Sequence, residues 1–209
     1  KYIWQYPEWP QFTWDEKAFS KVLGEVRLLQ GKIFAWMNMQ GMLLKEESAL
    51  NMLTLDVVKS SEIEGELLNY QQVRSSIARR LGFETAGMVP TDRFTEGVVE
   101  MMLDATQKYQ LPLEEERLFS WHAALFPLGR SGMYKIEVGQ YRNEAMQIVS
   151  GAMGKEKVHY EAPPPETVKK DMDHFLFWFN NEMNLDPVLK AAIAHFWFII
   201  IHPFDDGNG

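Results

Sequence analysis

The chain has 209 residues, with 21 Lys and Arg against 29 Asp and Glu, and no cysteine. The net charge of −8 argues against a broad nucleic-acid surface, which needs cationic groups to displace counterions. It leaves room for a small phosphate pocket, while the lack of thiols excludes disulfides, thiolate metal sites and a cysteine nucleophile.

The opening, Lys1 to Phe12, carries Trp4, Trp9, Pro7 and Pro10. It reads as an extended arm whose aromatic rings need a surface, and it lacks the apolar run of a signal peptide. Thr13-Trp14-Asp15-Glu16 reads as a capping box with Thr13 as the cap. A helix follows to about residue 40, with Phe19, Val22, Leu23, Val26, Leu29 and Ile33 at helical spacing. Gly24 and Gly31, seven apart, are expected to let another helix pack closely. A second helix is expected from Lys45 to Glu64. Asn69 caps a third, Tyr70 to Leu81, which Gly82 ends. Thr91 or Asp92 starts a fourth, to Tyr109. Leu113 to Phe126 is a fifth, with Glu114 to Glu116 favoured by the helix dipole.

Pro127 to Pro165 then turns Gly- and Pro-rich. Ala145–Val149 and Lys157–Glu161 read as a hairpin. Pro165 opens a sixth helix, to Asn181. Asp186-Pro187 caps a seventh, Val188 to Ile201, which is apolar almost all round and so expected to be buried on most sides. Its longest apolar stretch, Ala191 to Ile201, is well short of the ~20 residues of a membrane span. The expectation is a mainly α protein, soluble and cytoplasmic, with one hairpin inserted late.

The seventh helix runs straight into His202-Pro203-Phe204-Asp205-Asp206-Gly207-Asn208-Gly209. Gly207 and Gly209 permit positive φ and close backbone approach. Successive amides in such a turn make an anion nest, and Asn208 adds a side-chain donor. Asp206 can hold a hard cation such as Mg²⁺ against phosphate oxygens. His202 has a pKa suited to proton transfer near neutrality. A base, a metal ligand and a phosphate nest within eight residues point to transfer of a phosphorus-containing group. The competing reading is a common Asp-Gly and Asn-Gly turn, with a histidine capping a helix.

The order of these residues resembles the signature of the Fic (Fic/Doc) family. His202, Phe204, Asp206, Gly207, Asn208 and Gly209 fit its fixed positions, and the family's next residue is Arg, expected just past Gly209. The resemblance implies a Fic-type helical bundle with a β-hairpin flap that transfers AMP from ATP to a Tyr, Ser or Thr hydroxyl of a target protein. It makes His202 the general base and Asp206 the Mg²⁺ ligand. Gly207, Asn208 and Gly209 become the phosphate-binding turn, and Phe204 a core anchor for the loop. His195, seven residues before His202, is expected to pack or support. Gly139-Gln140-Tyr141-Arg142 ahead of the hairpin resembles the approach to the Fic flap. There, strand addition would bind the target segment, with Met146, Ile148, Lys157 and His159 as its contacts.

Ser60, Glu64 and Gly65 resemble the family's inhibitory motif. The resemblance implies the subclass whose inhibitory helix precedes the catalytic core, with Glu64 taking the γ-phosphate's place. The alternative is a solvated acidic helix end. The domain expectation is an arm and inhibitory helical region over residues 1–90 and a catalytic core over 91–209, cut within the active-site loop. His122 reads as a core histidine. Rival functions are transfer of UMP, phosphate or phosphocholine by the same loop, and a nucleotide-binding regulator without turnover. A homodimer and a DNA-binding domain after Gly209 are both open, with no nucleic-acid or membrane partner for the part in view.

Overall fold

Side-chain caps set where most of the helices begin. The computed structural model describes residues 1–39, 42–83, 87–151 and 155–208. Within them are seven α-helices: α1 (Glu16–Asn38), α2 (Met42–Ile63), α3 (Tyr70–Leu81), α4 (Arg93–Gln107), α5 (Glu115–Leu125), α6 (Pro165–Asn181) and α7 (Pro187–Ile201). Between α5 and α6 lie two antiparallel ladders, β1 (Arg130–Ser131) with β2 (Tyr134–Lys135), and β3 (Gln147–Ser150) with β4 (Lys157–Glu161). The mainly helical expectation holds, and β1–β2 is additional to it.

The caps behave as their chemistry requires. Asn69 Oδ1 accepts from the amides of Gln71 (2.9 Å) and Gln72 (3.2 Å). Asp92 takes Thr95 N at 2.8 Å and Asp186 takes Val188 N at 2.8 Å. The first helix corrects the sequence expectation. Its cap is Asp15, which accepts from Lys17 N at 2.9 Å and Ala18 N at 3.4 Å. Thr13 lies outside the helix, whose positive end is better served by a carboxylate.

The chain divides into two compact units, residues 12–95, and residues 1–11 with 96–209. In the 12–95 unit, α2 packs on α3. Leu50, Thr54 and Val57 of α2 and Val73, Ile77 and Ala78 of α3 are buried, each large aliphatic contributing about 1.5–3 kcal/mol. Arg74 ties the pair through Asn51 (2.7 Å) and Glu47 (2.8 Å). No residue of α1 is buried. Nothing lies within 4 Å of where a Cβ would stand on Gly24 or Gly31. That overturns the expected close helix packing at those glycines, since no described neighbour comes near.

In the other unit, α4 and α5 approach until a Cβ on Gly97 would stand 1.8 Å from the Ala124 carbonyl oxygen. Arg117 fastens them, donating to Asp104 Oδ2 (2.7 Å) and to the carbonyls of Asp104 (2.9 Å) and Lys108 (3.1 Å). Val168, Met172 and Phe175 of α6 and Ala194, Trp197 and Ile201 of α7 are buried where the two helices meet. The outer face of α7 corrects another expectation. Val188, His195 and Phe196 are exposed, because α6 covers only one side of the helix. His195 is therefore not packed as expected.

The arm finds its surface in this same unit. The Trp4 indole donates to the Glu161 carbonyl at 2.8 Å. Tyr2 meets Tyr160 edge-on at 5.5 Å, and Trp9 meets Trp197 at 6.2 Å. Ile3–Gln5 is wound into a 3₁₀ turn rather than extended.

Candidate active site

The α7 helix ends at His202, whose φ of 52° and ψ of 61° are left-handed. It is the only non-glycine residue with positive φ among those described. A side chain in this region costs about 1–2 kcal/mol, so the surroundings must hold it there. The last carbonyls of a helix have no partner within it. Here they are met from outside. Phe198 O accepts from His202 N (2.9 Å). Ile200 O accepts from the Tyr160 hydroxyl (2.5 Å) and Ile201 O from Arg142 Nη2 (3.4 Å). Beyond the helix, His202 O accepts from Arg142 Nε (2.7 Å) and Pro203 O from Arg142 N (2.9 Å).

The His202 ring is partly buried, and burial holds its pKa below the ordinary histidine value. The Ile199 carbonyl opposes that shift, and the Arg142 cation adds to it. His202 Nδ1 is shielded from solvent and makes no hydrogen bond of ordinary geometry. Burial therefore favours the neutral ring, the form that can accept a proton.

The loop after His202 is closed on itself. Asn208 Oδ1 accepts from Phe204 N, and Asn208 Nδ2 donates to Phe204 O, both at 2.9 Å. The Asn208 side chain thus braces the loop, with one of its two N–H donors used by the Phe204 carbonyl. Phe204 is buried and lies flat on His122, with ring centroids 4.2 Å apart and planes 8° apart. It is an anchor. Gly207 has φ 74°, and a Cβ there would stand 2.6 Å from Phe126 Cε2. Only glycine fits both limits. The Gly209 assignment lies outside the described residues.

Sequence reasoning missed how the Asp205-Asp206 pair is gripped. Gly139 N donates to His122 Nδ1 at 3.2 Å, so the proton sits on Nε2, which donates to Asp206 O at 3.1 Å. His122 is a core histidine, as expected, but one that supports the loop. Glu137 N donates to Asp205 Oδ2 at 2.9 Å. The Ser131 hydroxyl donates to Asp206 Oδ2. Gly207 N donates to Asp206 Oδ1 at 2.7 Å. Ser131 sits in the unforeseen β1–β2 ladder, where two-residue strands leave no periodic signal to read. The buried Arg142 carried a signal, since it closes the Gly-Gln-Tyr-Arg run.

No group of three or more His, Asp or Glu able to hold a metal occurs among the described residues. One exposed carboxylate, Asp206, still suits Mg²⁺, which keeps waters and takes one or two carboxylates together with substrate phosphates.

The expected flap is the β3–β4 hairpin. Gln147 pairs with Glu161, Ile148 with Tyr160, Val149 with Val158 and Ser150 with Lys157, with an irregularity between Ile148 and Val149. Ile148, Lys157 and His159 are exposed and Met146 is half-buried. His159 is bonded to Ser150 Oγ at 2.5 Å. In the other unit, Ser60 lies in the last turn of α2, and Glu64 and Gly65 follow the helix. Gly65, at φ 88°, donates to Glu62 O at 3.1 Å, and Glu66 N donates to Ser61 O at 2.8 Å. That is a Schellman closure, and it explains the glycine on structural grounds alone.

Comparison with known proteins finds matches in both parts of the chain. Residues 112–209 match the family described as "Fic/DOC family", and residues 2–83 match "Domain of unknown function (DUF4172)". The chain is 28% identical over 159 residues to the protein adenylyltransferase Fic of Aedes aegypti, a match covering 73% of this chain and 29% of that protein. It is 43% identical over 47 residues to protein adenylyltransferase fic-1 of Caenorhabditis elegans, covering 22% of this chain and 9% of that one. A Fic family protein from Desulfovibrio desulfuricans shares the fold, with a TM-score of 0.57, 26% identity, and 95% of this chain matched to 55% of the other. The matches thus span under a third of these curated relatives' own length. No helix among the described residues is long and apolar enough to cross a membrane.

Proposed function

We propose that this chain, which matches the Fic/DOC family over residues 112–209 and DUF4172 over residues 2–83, is a protein adenylyltransferase. The substrates are ATP and a target protein bearing a hydroxyl. The observation that carries the reading is His202. An imidazole whose neutral form is favoured by burial sits on a backbone fixed in a left-handed turn, four residues from a carboxylate and next to a loop that only glycine can complete.

The step follows from those groups. The target hydroxyl loses its proton to His202 as its oxygen attacks the α-phosphorus of ATP. The bond to the bridging oxygen breaks, and pyrophosphate leaves. The Asp206 carboxylate is the group that would hold Mg²⁺, which supplies charge neutralisation on the phosphates when bound. Backbone amides of Gly207 and Asn208 face the developing negative charge, as preorganised donors do. The Gly207 amide becomes available only when the Asp206 carboxylate turns away from it. Main-chain groups of β3 offer the target segment a strand to pair with.

His202→Ala tests this. AMP incorporation, read by mass spectrometry, is expected to vanish while ATP binding by calorimetry persists. Undiminished transfer would remove the base from His202. Calorimetry with UTP and CDP-choline beside ATP separates the rival donors, because the loop reads phosphates and not the base. For Glu64 we propose an inhibitory role. Glu64→Gly in a chain continuing past Gly209 should raise AMP incorporation, and equal incorporation would make the α2 end only a helix cap.

A further inference from the structure

We propose that Arg142 is the positioning residue of the general base, one buried guanidinium that holds the His202 backbone and pins both roots of the flap to it. The proposal rests on the reading of His202 as base. Arg142 is 2% exposed, and among the described residues no carboxylate pairs with it. A buried cation without an ion pair is costly unless its donors are met. Every contact it makes is to a backbone carbonyl. Nε donates to His202 O (2.7 Å), Nη1 to Glu144 O (2.9 Å), and Nη2 to Pro163 O (2.6 Å) and Ile201 O (3.4 Å). Its own amide donates to Pro203 O (2.9 Å).

These carbonyls come from three separate stretches. Ile201 to Pro203 are the end of α7 and the left-handed turn. Glu144 leads into β3, and Pro163 follows β4. The planar fork therefore fixes the base and the target-binding ladder relative to one point. An ordinary core residue would need none of this, and an ammonium could not span the three stretches, because its donors radiate from one atom. Tyr160, on β4, adds the Ile200 carbonyl to the same set. Arg142, just ahead of the flap, and Tyr160 within it thus supply the side chains that keep His202 in a conformation it would not adopt alone.

The test uses the full-length protein and separates kcat from KM. Arg142→Lys keeps the charge and loses the fork. It should lower kcat for AMP transfer about 10²-fold, the scale of a 1 Å misplacement, with the KM for ATP changed less than about threefold. Arg142→Ala should lose more, and added guanidinium should restore part of its kcat. The His202 imidazole NMR signal should shift in folded Arg142→Lys. Wild-type kcat in Arg142→Lys, or an unmoved His202 signal in that folded variant, would overturn the proposal. So would equal losses in kcat and ATP affinity. If Arg142→Ala fails to fold, Arg142→Lys and its NMR signal still decide. Failure of the base reading is distinguishable: His202→Ala would then transfer AMP normally, whatever Arg142→Lys does.

Discussion

The ends of α2 and α7 solve the same problem in opposite ways. Both helices must close into a left-handed residue. At α2 the residue is Gly65, and the closing hydrogen bonds are backbone to backbone. At α7 it is His202, and the carbonyls are met by Arg142 and Tyr160, far away in sequence. The first closure is local and carries no side chain. The second is strained, long-range and presents an imidazole. A left-handed histidine is tolerated where a side chain is needed at that point, and the stabilisation comes from Arg142 and Tyr160.

The largest effect should come from removing that imidazole. His202→Gly is expected to cut AMP transfer at least about 10²-fold, and yet to raise stability by about 1 kcal/mol by relieving the left-handed strain. A denaturant titration beside the activity assay would check the opposed signs. A loss of stability would mean that His202 is not strained. Next comes Gly207→Ala, where the new methyl meets Phe126 Cε2 at 2.6 Å at a positive φ. It should cost about 2–4 kcal/mol, the sum of overpacking and left-handed penalties, visible as a drop in Tm. Gly65→Ala has open space and should cost only the left-handed penalty, about 1–2 kcal/mol. If the two alanines cost the same, the crowding at Phe126 contributes nothing.

The smallest effect is in pH. His202 is held below its ordinary pKa, chiefly by burial. Its neutral form therefore survives at pH values where a free histidine is charged, and the acid limb of kcat/KM should lie below about 6.5. The stability sign follows. The unfolded chain binds the proton more readily, so the folded state loses stability as pH falls below the unfolded value. Replacing His202 with Ala should flatten that part of the stability profile, and an unchanged slope would assign it to another group.

The comparison also explains what could be read in advance. Asn69, Gly82, Pro165 and Asp186 gave their helix boundaries correctly, because each acts on amides or carbonyls within a few residues of itself. The His202-to-Asn208 run was legible as a candidate site, since its residue types sit together in sequence. What failed was long-range. Nothing local in Ser131 or His122 says that they grip Asp206, since the contacts span 75 and 84 residues. Nor could apolar content alone show that one face of α7 is left exposed. That the Asn208 amide pairs with the Phe204 backbone was also not legible, since the pairing depends on the loop's curvature.

The arm has a consequence for how the protein is made. Residues 1–11 belong to the same unit as residues 96–209, with Trp4 on Glu161 and Trp9 against Trp197. Residues 1–11 must therefore wait until Glu161 and Trp197 have been made before they find their seat. The intervening unit, whose contacts lie within residues 12–95, can form meanwhile, since domains generally fold as units during synthesis. A fragment starting at residue 96 would omit part of the wall on which the flap's second strand rests.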